Sequence, residues 1–212
     1  MKKLLLSAFL LLATNFVNAQ IPVDLARIET LAKDSTNSEF HFDTLKEKFK
    51  TKPQELSILQ LQLLYYHPLN TIGSLNYDMS SAGAYADFKS LKFKKFIAEA
   101  EEKLEKMPAN LTLLFLLSLA YGETKEGKSK ANGYNKKFKL VLESLMVNKS
   151  LTDEDHLIEL NCITDQLIIL NVLGIDTSKL KYSTKANKGS WLNTYEKDDE
   201  KIQFKVLVKQ IL

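Results

Sequence analysis

Apolar residues recur every three to four positions over most of the chain, which is the spacing of an amphipathic helix. Proline, glycine and capping residues divide this pattern into separate segments. The segment 110–121 is apolar nearly all round, so it is predicted to be the central buried helix. The predicted helices cover residues 22–34, 44–50, 53–66, 87–107, 110–121, 134–145 and 152–173.

The apolar period changes from helical to two after Gly174, which is predicted to end the last helix. From about residue 180 onward, apolar and polar residues alternate, and the charged segment 197–200 is typical of a turn. An isolated hairpin is marginal in water, so we expect Phe204 and Val206 to pack on the helices. The predicted fold is mostly α, with about six to seven helices and a small C-terminal antiparallel β element.

One long segment between the helices, residues 67–85, lacks a sustained period. It contains Pro68, Gly73 and Gly83 together with several asparagines and serines, a composition that predicts a loop. Loops of this length are uncommon in compact domains and often carry function. This segment is therefore the first place to look for a site.

Tyrosines flank and interrupt this predicted loop. Their rings bury apolar surface while the hydroxyl offers a polar contact, which suits a binding face. The alternative, which we favour, is that the rings pack inward and anchor the loop to the helices. The candidate binding residues are Tyr65, Tyr66, Tyr77 and Tyr85.

The N-terminus has the pattern of a cleavable signal peptide, residues 1–19. Two lysines precede an apolar run over residues 4–13, and Val17 and Ala19 occupy the −3 and −1 positions of the cleavage site. The run is shorter than the roughly 18 to 20 apolar residues that span a bilayer. We expect an exported, periplasmic or secreted protein of one domain, residues 20–212, without membrane insertion after cleavage.

Charge and arginine content argue against a nucleic-acid partner. Loss of Lys2 and Lys3 with the signal peptide lowers the formal net charge from +3 to about +1. Arg27 is the only arginine, although phosphate recognition relies heavily on the guanidinium fork. We therefore expect no binding of nucleic acid.

Known metal and cofactor motifs are missing from the sequence, so we expect neither a metal nor a cofactor. The nearest ligand-like set is His156, Glu159 and Cys162, spaced at successive steps of three, which would share one side of a helix. Cys162 lies among leucine and isoleucine, and is predicted to be an inert part of the core. With a single cysteine, the chain has no internal disulfide.

Acidic residues cluster at the start of the last predicted helix. Asp153, Asp155 and Glu159 could form a pair of catalytic carboxylates, which glycoside hydrolysis requires on either side of a cleft. On one helix start, they are better explained by the favourable interaction of negative charge with the helix N-terminus.

Several segments together resemble an uncharacterised bacterial family. They are the run from Glu55 to Tyr66, the loop with asparagine and tyrosine, the segment 105–110, and the terminal strands from Trp191 to Leu207. The sequence resembles the family catalogued as domain of unknown function 4919, found mainly in Bacteroides-type bacteria. The resemblance covers most of the mature chain and implies export and a similar fold, without a known activity.

The helix that ends at Met107 and the leucine-rich helix after Pro108 also faintly resemble one tetratricopeptide-type hairpin. Stacked repeats need about three such units for stability, and only one is visible. The hairpin is therefore predicted to belong to an ordinary helical domain.

Two functions remain open from the sequence. The first is a non-catalytic, exported module that binds a partner protein or an envelope component through the tyrosines. The alternative is an extracytoplasmic hydrolase acting on a saccharide or peptide, for which His67, Asp78 and Asp87 are the candidate active-site residues. A concave pocket that contains these groups would favour the enzyme.

Overall fold

A computed structural model describes residues 25–34, 36–124, 127–147, 149–153, 156–198 and 200–209. Within these residues the chain forms seven α-helices and a small four-stranded sheet, which confirms the predicted fold class. The helices are α1 (Leu25–Lys33), α2 (Phe42–Thr51), α3 (Ile58–Lys89), α4 (Phe93–Leu104), α5 (Leu111–Gly122), α6 (Lys128–Met146) and α7 (Ile163–Val172). The strands are β1 (Ile158–Leu160), β2 (Lys181–Asn187), β3 (Ser190–Lys197) and β4 (Glu200–Leu207).

The sheet is mixed, with strand order β1-β4-β3-β2. The three C-terminal strands are antiparallel, as predicted, and β1 joins them in parallel with Ile158 opposite Phe204. The sequence prediction missed β1 and placed these residues in a helix that began near residue 152. That helix is α7, and it begins only at Ile163. Its predicted end is correct, since Gly174 follows it with a φ of +71°.

The predicted loop over residues 67–85 is wrong, because this segment belongs to α3. One face of this segment is buried, where Gly73, Tyr77, Ser81 and Ala84 follow one another at helical spacing. Ser81 on this face contacts the start of α5, since its hydroxyl accepts from the side-chain amide of Asn110 over 2.9 Å. Gly73 itself has φ +75° and ψ 159°, so α3 is kinked at this residue.

The C-terminal segment of the chain binds the kink in α3. Ser74 follows the kink, and its N–H donates to the carbonyl oxygen of Lys209 over 2.9 Å. In return, the N–H of Lys209 donates to the hydroxyl of Ser74 over 2.5 Å. The Lys209 ammonium also contacts Asn70 of α3 and Glu29 of α1. The N–H of Ser74 at the kink is thereby hydrogen-bonded outside α3.

The beginning of α3 also differs from the prediction. Thr51, followed by Pro53 and Gln54, has the sequence of a capping box that would open this helix, but no such box forms: Thr51 ends α2, and residues Pro53–Glu55 form a single turn of 3₁₀ helix. The box lies instead at Ser57, whose hydroxyl accepts from the N–H of Gln60 over 3.3 Å while the Gln60 side chain accepts from the N–H of Ser57 over 2.9 Å.

The single helix predicted over residues 87–107 is divided between α3 and α4. α3 ends at Lys89, and the turn before α4 contains Leu91 with a φ of +60°. α5 agrees closely with its prediction, because Asn110 caps it by accepting from the N–H of Leu113 over 2.9 Å.

The sheet packs on the helices through Phe204, as predicted, whereas Val206 is buried but lies outside the apolar cluster that the helices form with the sheet. Buried amides strengthen this contact between the sheet and α7. Asn193 donates to the Gln166 side chain over 3.1 Å, and Gln166 donates to the hydroxyl of Tyr195 over 2.9 Å. One continuous cluster of buried apolar residues therefore joins the helices to the sheet.

The predicted signal peptide, residues 1–19, lies outside the described residues. Among the helices that the structure describes, none is long and apolar enough to cross a membrane.

Candidate functional site

Three of the four candidate tyrosines are buried and do not form a binding face. Tyr65, Tyr66 and Tyr77 each have at most 1% of their surface exposed. The ring centroids of Tyr65 and Tyr66 lie 4.8 Å apart in an edge-on arrangement. These rings pack inward, as in the alternative that we favoured, but they belong to a helix and not to an anchored loop.

A buried carboxylate organises the polar groups around Tyr65. The Tyr65 hydroxyl donates to Oδ2 of Asp165 over 2.6 Å. The hydroxyl and N–H of Thr112 both donate to Oδ1 of Asp165, over 2.7 and 3.1 Å. Asp165 thus connects α7 to both α3 and α5.

Asp165 is fully buried, and this burial raises the pKa of its carboxyl group above the ordinary range. The hydrogen bonds from Tyr65 and Thr112 act in the opposite direction. The Tyr65 hydroxyl also accepts from the N–H of Asn161 over 2.9 Å, so this hydroxyl both donates and accepts inside the core. No part of this network reaches the surface, and its role is structural.

Tyr85 differs from the other three tyrosines, because it lines an open groove of about 310 Å³. The walls of the groove come from the C-terminal half of α3, from α5, and from α7 with the short segment after it. Its lining residues are Tyr85, Phe88, Lys89, Phe115, Leu116, Leu119, Leu167, Ile168, Asn171, Ile175 and Thr177.

Most of the side chains that line this groove are apolar. Eight of the lining side chains are aromatic or aliphatic, and none is an acid or a histidine. Leu119 remains 42% exposed although it lines the groove. The ammonium of Lys89 lies 4.7 Å from the centre of the Tyr85 ring and supplies the only charge in the lining. Such a lining offers neither a carboxylate nor an imidazole, and it can bury an apolar ligand.

The candidate hydrolase residues do not converge. Asp78 and Asp87 lie nine positions apart on the straight second half of α3, about 13.5 Å along the axis and on opposite faces. Asp78 accepts from the N–H of Ile163 over 3.1 Å and so caps α7, while partial burial raises the pKa of its carboxyl group.

His67 occupies a separate buried site on the other half of α3. Its ring centroid lies 4.5 Å from that of Phe42, and burial lowers the pKa of its imidazole. His67, Asp78 and Asp87 are all absent from the groove lining. The structure therefore assembles no acid–base centre from these three residues.

The metal-like set also separates. Glu159 lies in β1 and pairs with Lys205 over 2.6 Å, His156 pairs with Asp153 over 2.6 Å, and Cys162 precedes α7. The described residues contain no group of three or more potential metal ligands. The prediction that Asp153 and Glu159 lie at a helix start is wrong, and Asp155 falls outside the described residues.

Cys162 is buried, as predicted, with 1% of its surface exposed. Burial raises the pKa of its thiol well above the ordinary value, and the negative charge of Asp165 adds to this effect. A thiol that stays protonated is a poor nucleophile, so Cys162 belongs to the core.

The groove was missed by the sequence analysis, apart from Tyr85, because its walls come from three distant segments. The resemblance to domain of unknown function 4919 stays a prediction. No protein-family model matches the sequence, and no curated protein or solved structure matches it.

Proposed function

We propose that the protein is a non-catalytic, exported binding module, and that the groove beside Tyr85 takes the apolar chain of an envelope component. The observation that carries this function is the lining itself. The groove is concave and is lined mostly by apolar side chains. Its volume of about 310 Å³ lies at the lower end of the range for small-molecule sites.

The few polar groups support recognition of an amphiphile. Asn171 and Thr177 can hydrogen-bond to the polar end of a ligand, and Lys89 adds a positive charge at the same groove. Burial of an apolar chain is worth about 0.8 kcal/mol per methylene group, so even a short chain supplies measurable affinity. The alternative hydrolase would need a carboxylate or a histidine, and neither lines the groove.

n-Octyl glucoside below its micelle concentration is a suitable probe, because it joins an apolar chain to a saccharide. We expect it to bind in isothermal titration calorimetry, whereas glucose, which lacks the chain, does not. Analysis of the recovered ligand distinguishes the two functions. Intact octyl glucoside supports a binding module, and release of glucose by the protein would instead support the hydrolase.

Leu119→Gln should weaken this binding severalfold, because it places an amide in the groove wall without disturbing the buried core. The matched control is Leu75→Gln on α3, since Leu75 is 72% exposed and lies outside the groove. If octyl glucoside does not bind, or binds equally to both variants, the groove is not the site of this function.

A further inference from the structure

The sheet ends in a strand whose outer edge has no partner among the described residues. β2 is seven residues long and pairs only with β3, and every one of its residues is exposed. An open strand of this length presents main-chain donors and acceptors that another extended chain can pair with.

The register shows which main-chain groups face outward. Asn187 and Ser190 flank a two-residue turn and pair directly, so they exchange both main-chain hydrogen bonds. Residues then alternate between inward and outward bonding along an antiparallel pair. The N–H and carbonyl groups of Tyr182, Thr184 and Ala186 therefore point away from β3.

The two faces of β2 carry different kinds of side chain. Lys181 and Lys185 share one face with Ser183, while Tyr182 lies on the opposite face and packs against Tyr195 at 5.1 Å between ring centroids. Neither lysine makes an ion pair with a described residue, although Glu196 of β3 lies directly opposite Lys181 in the register. The neighbouring lysines of β4 on this face are neutralised, since Lys201 pairs with Glu196 and Lys205 with Glu159.

The lysines of β2 determine what can pair with this edge. A second copy of β2 would place lysines beside lysines, and like charges on neighbouring strands repel. A strand with carboxylates at alternate positions would instead neutralise Lys181 and Lys185. Lysines on an edge strand are also a general protection against aggregation, which the same repulsion explains.

We infer that the outer edge of β2 is a docking site for an extended acidic segment of a partner protein, which adds to the sheet as a fifth strand. The main-chain groups of Tyr182, Thr184 and Ala186 hold the added strand, and Lys181 and Lys185 select for carboxylates. This site is independent of the groove, because none of its residues lines the groove.

The probes are two capped peptides, Thr-Glu-Val-Glu-Val-Glu-Thr and its lysine counterpart Thr-Lys-Val-Lys-Val-Lys-Thr. They are titrated into the ¹⁵N-labelled protein, and amide shifts are followed by NMR. We expect the acidic peptide to shift the amides of β2, with an effect that weakens as salt is raised. The lysine peptide should cause no such shifts.

Two double variants test the charge selection. Lys181→Glu/Lys185→Glu should reverse the preference between the peptides by about tenfold, the effect of two exposed ion pairs. Lys94→Glu/Lys106→Glu changes the same number of exposed lysines away from the sheet and should keep the original preference. Equal binding of both peptides, or shifts confined to another surface, would overturn the inference.

Main-chain pairing is tested separately. Ala186→Pro removes an outward N–H while leaving the bonds to β3 in place, and should abolish the shifts. An acidic peptide with N-methyl groups on alternate residues tests the same point on the unmodified protein. The methyl groups can be placed on either of the two alternate sets of residues, so two such peptides are made. If both peptides still bind, no strand is added to the sheet.

Discussion

The hydroxyl of Tyr65 donates a 2.6 Å hydrogen bond to Oδ2 of Asp165, which joins two residues 100 positions apart inside the core. The same hydroxyl accepts from the N–H of Asn161. Removing it leaves a buried carboxyl group and a buried N–H short of a partner. The unmet desolvation of buried polar groups is what makes such a deletion costly.

Tyr65→Phe should therefore lower the free energy of unfolding by about 1–3 kcal/mol. Tyr85→Phe is the matched control, since the Tyr85 hydroxyl makes no hydrogen bond to any described residue, and it should change stability little. Urea unfolding followed by circular dichroism measures both. Equal stability of the two variants would contradict the structural role of the buried network.

The pH dependence of stability should carry the signature of Asp165. Burial raises the pKa of its carboxyl group in the folded state, whereas the unfolded value is about 3.9. Between these two values the folded protein keeps a proton that the unfolded chain has released. The contribution of Asp165 to stability therefore falls as the pH rises from about 4 through the raised pKa.

Asp165→Asn removes this titration while keeping an oxygen that can accept from Thr112. The free energy of unfolding of the unmodified protein, minus that of the variant, should decline as the pH rises above 4 and then level. Urea unfolding of both proteins at a series of pH values gives this difference. A constant or rising difference would mean that the folded-state pKa is not raised.

Two glycines of α3 should respond to alanine with opposite signs. Gly73 has φ +75° at the kink, a conformation that costs an L-residue about 1–3 kcal/mol. Gly83 lies in the regular second half, and a Cβ there would meet nothing within 4 Å. Gly83→Ala should thus raise the free energy of unfolding by about 0.5–1 kcal/mol.

Denaturant unfolding of Gly73→Ala and Gly83→Ala tests the kink directly. Stabilisation by both substitutions would mean that α3 is straight through residue 73. Destabilisation by both would instead argue that the second half of α3 is not a regular helix.

These glycines also explain where the sequence misled and where it did not. The strands after residue 180 and the buried helix α5 follow from local patterns, since alternation and an Asn110 cap need no information from elsewhere. The segment 67–85 was misread because glycine and serine favour loops locally but also allow close helix packing. Only the positions of α5 and α7 decide between these two uses.

The candidate site was less predictable than the fold. Tyr85 was identified from its aromatic character, but the groove around it combines residues from α3, α5 and α7. Each wall has an ordinary apolar sequence, so nothing marks it before the chain is folded. The Tyr65–Asp165 bond escaped for the same reason, because partners 100 residues apart share no local pattern.

The reactivity of Cys162 gives a direct test of how tightly the core beneath α7 is closed. Its thiol is buried, and burial raises its pKa, so both access and the thiolate fraction are low. Labelling by a soluble aromatic disulfide should require opening of the structure, and should be at least about 10³-fold slower than in urea.

Ser90→Cys in a Cys162→Ala background places a thiol at an exposed position as the control and should react at the rate of an unfolded chain. Rapid labelling of native Cys162 would show that α7 separates readily from the core, and the groove that α7 helps to form would then be only transiently present.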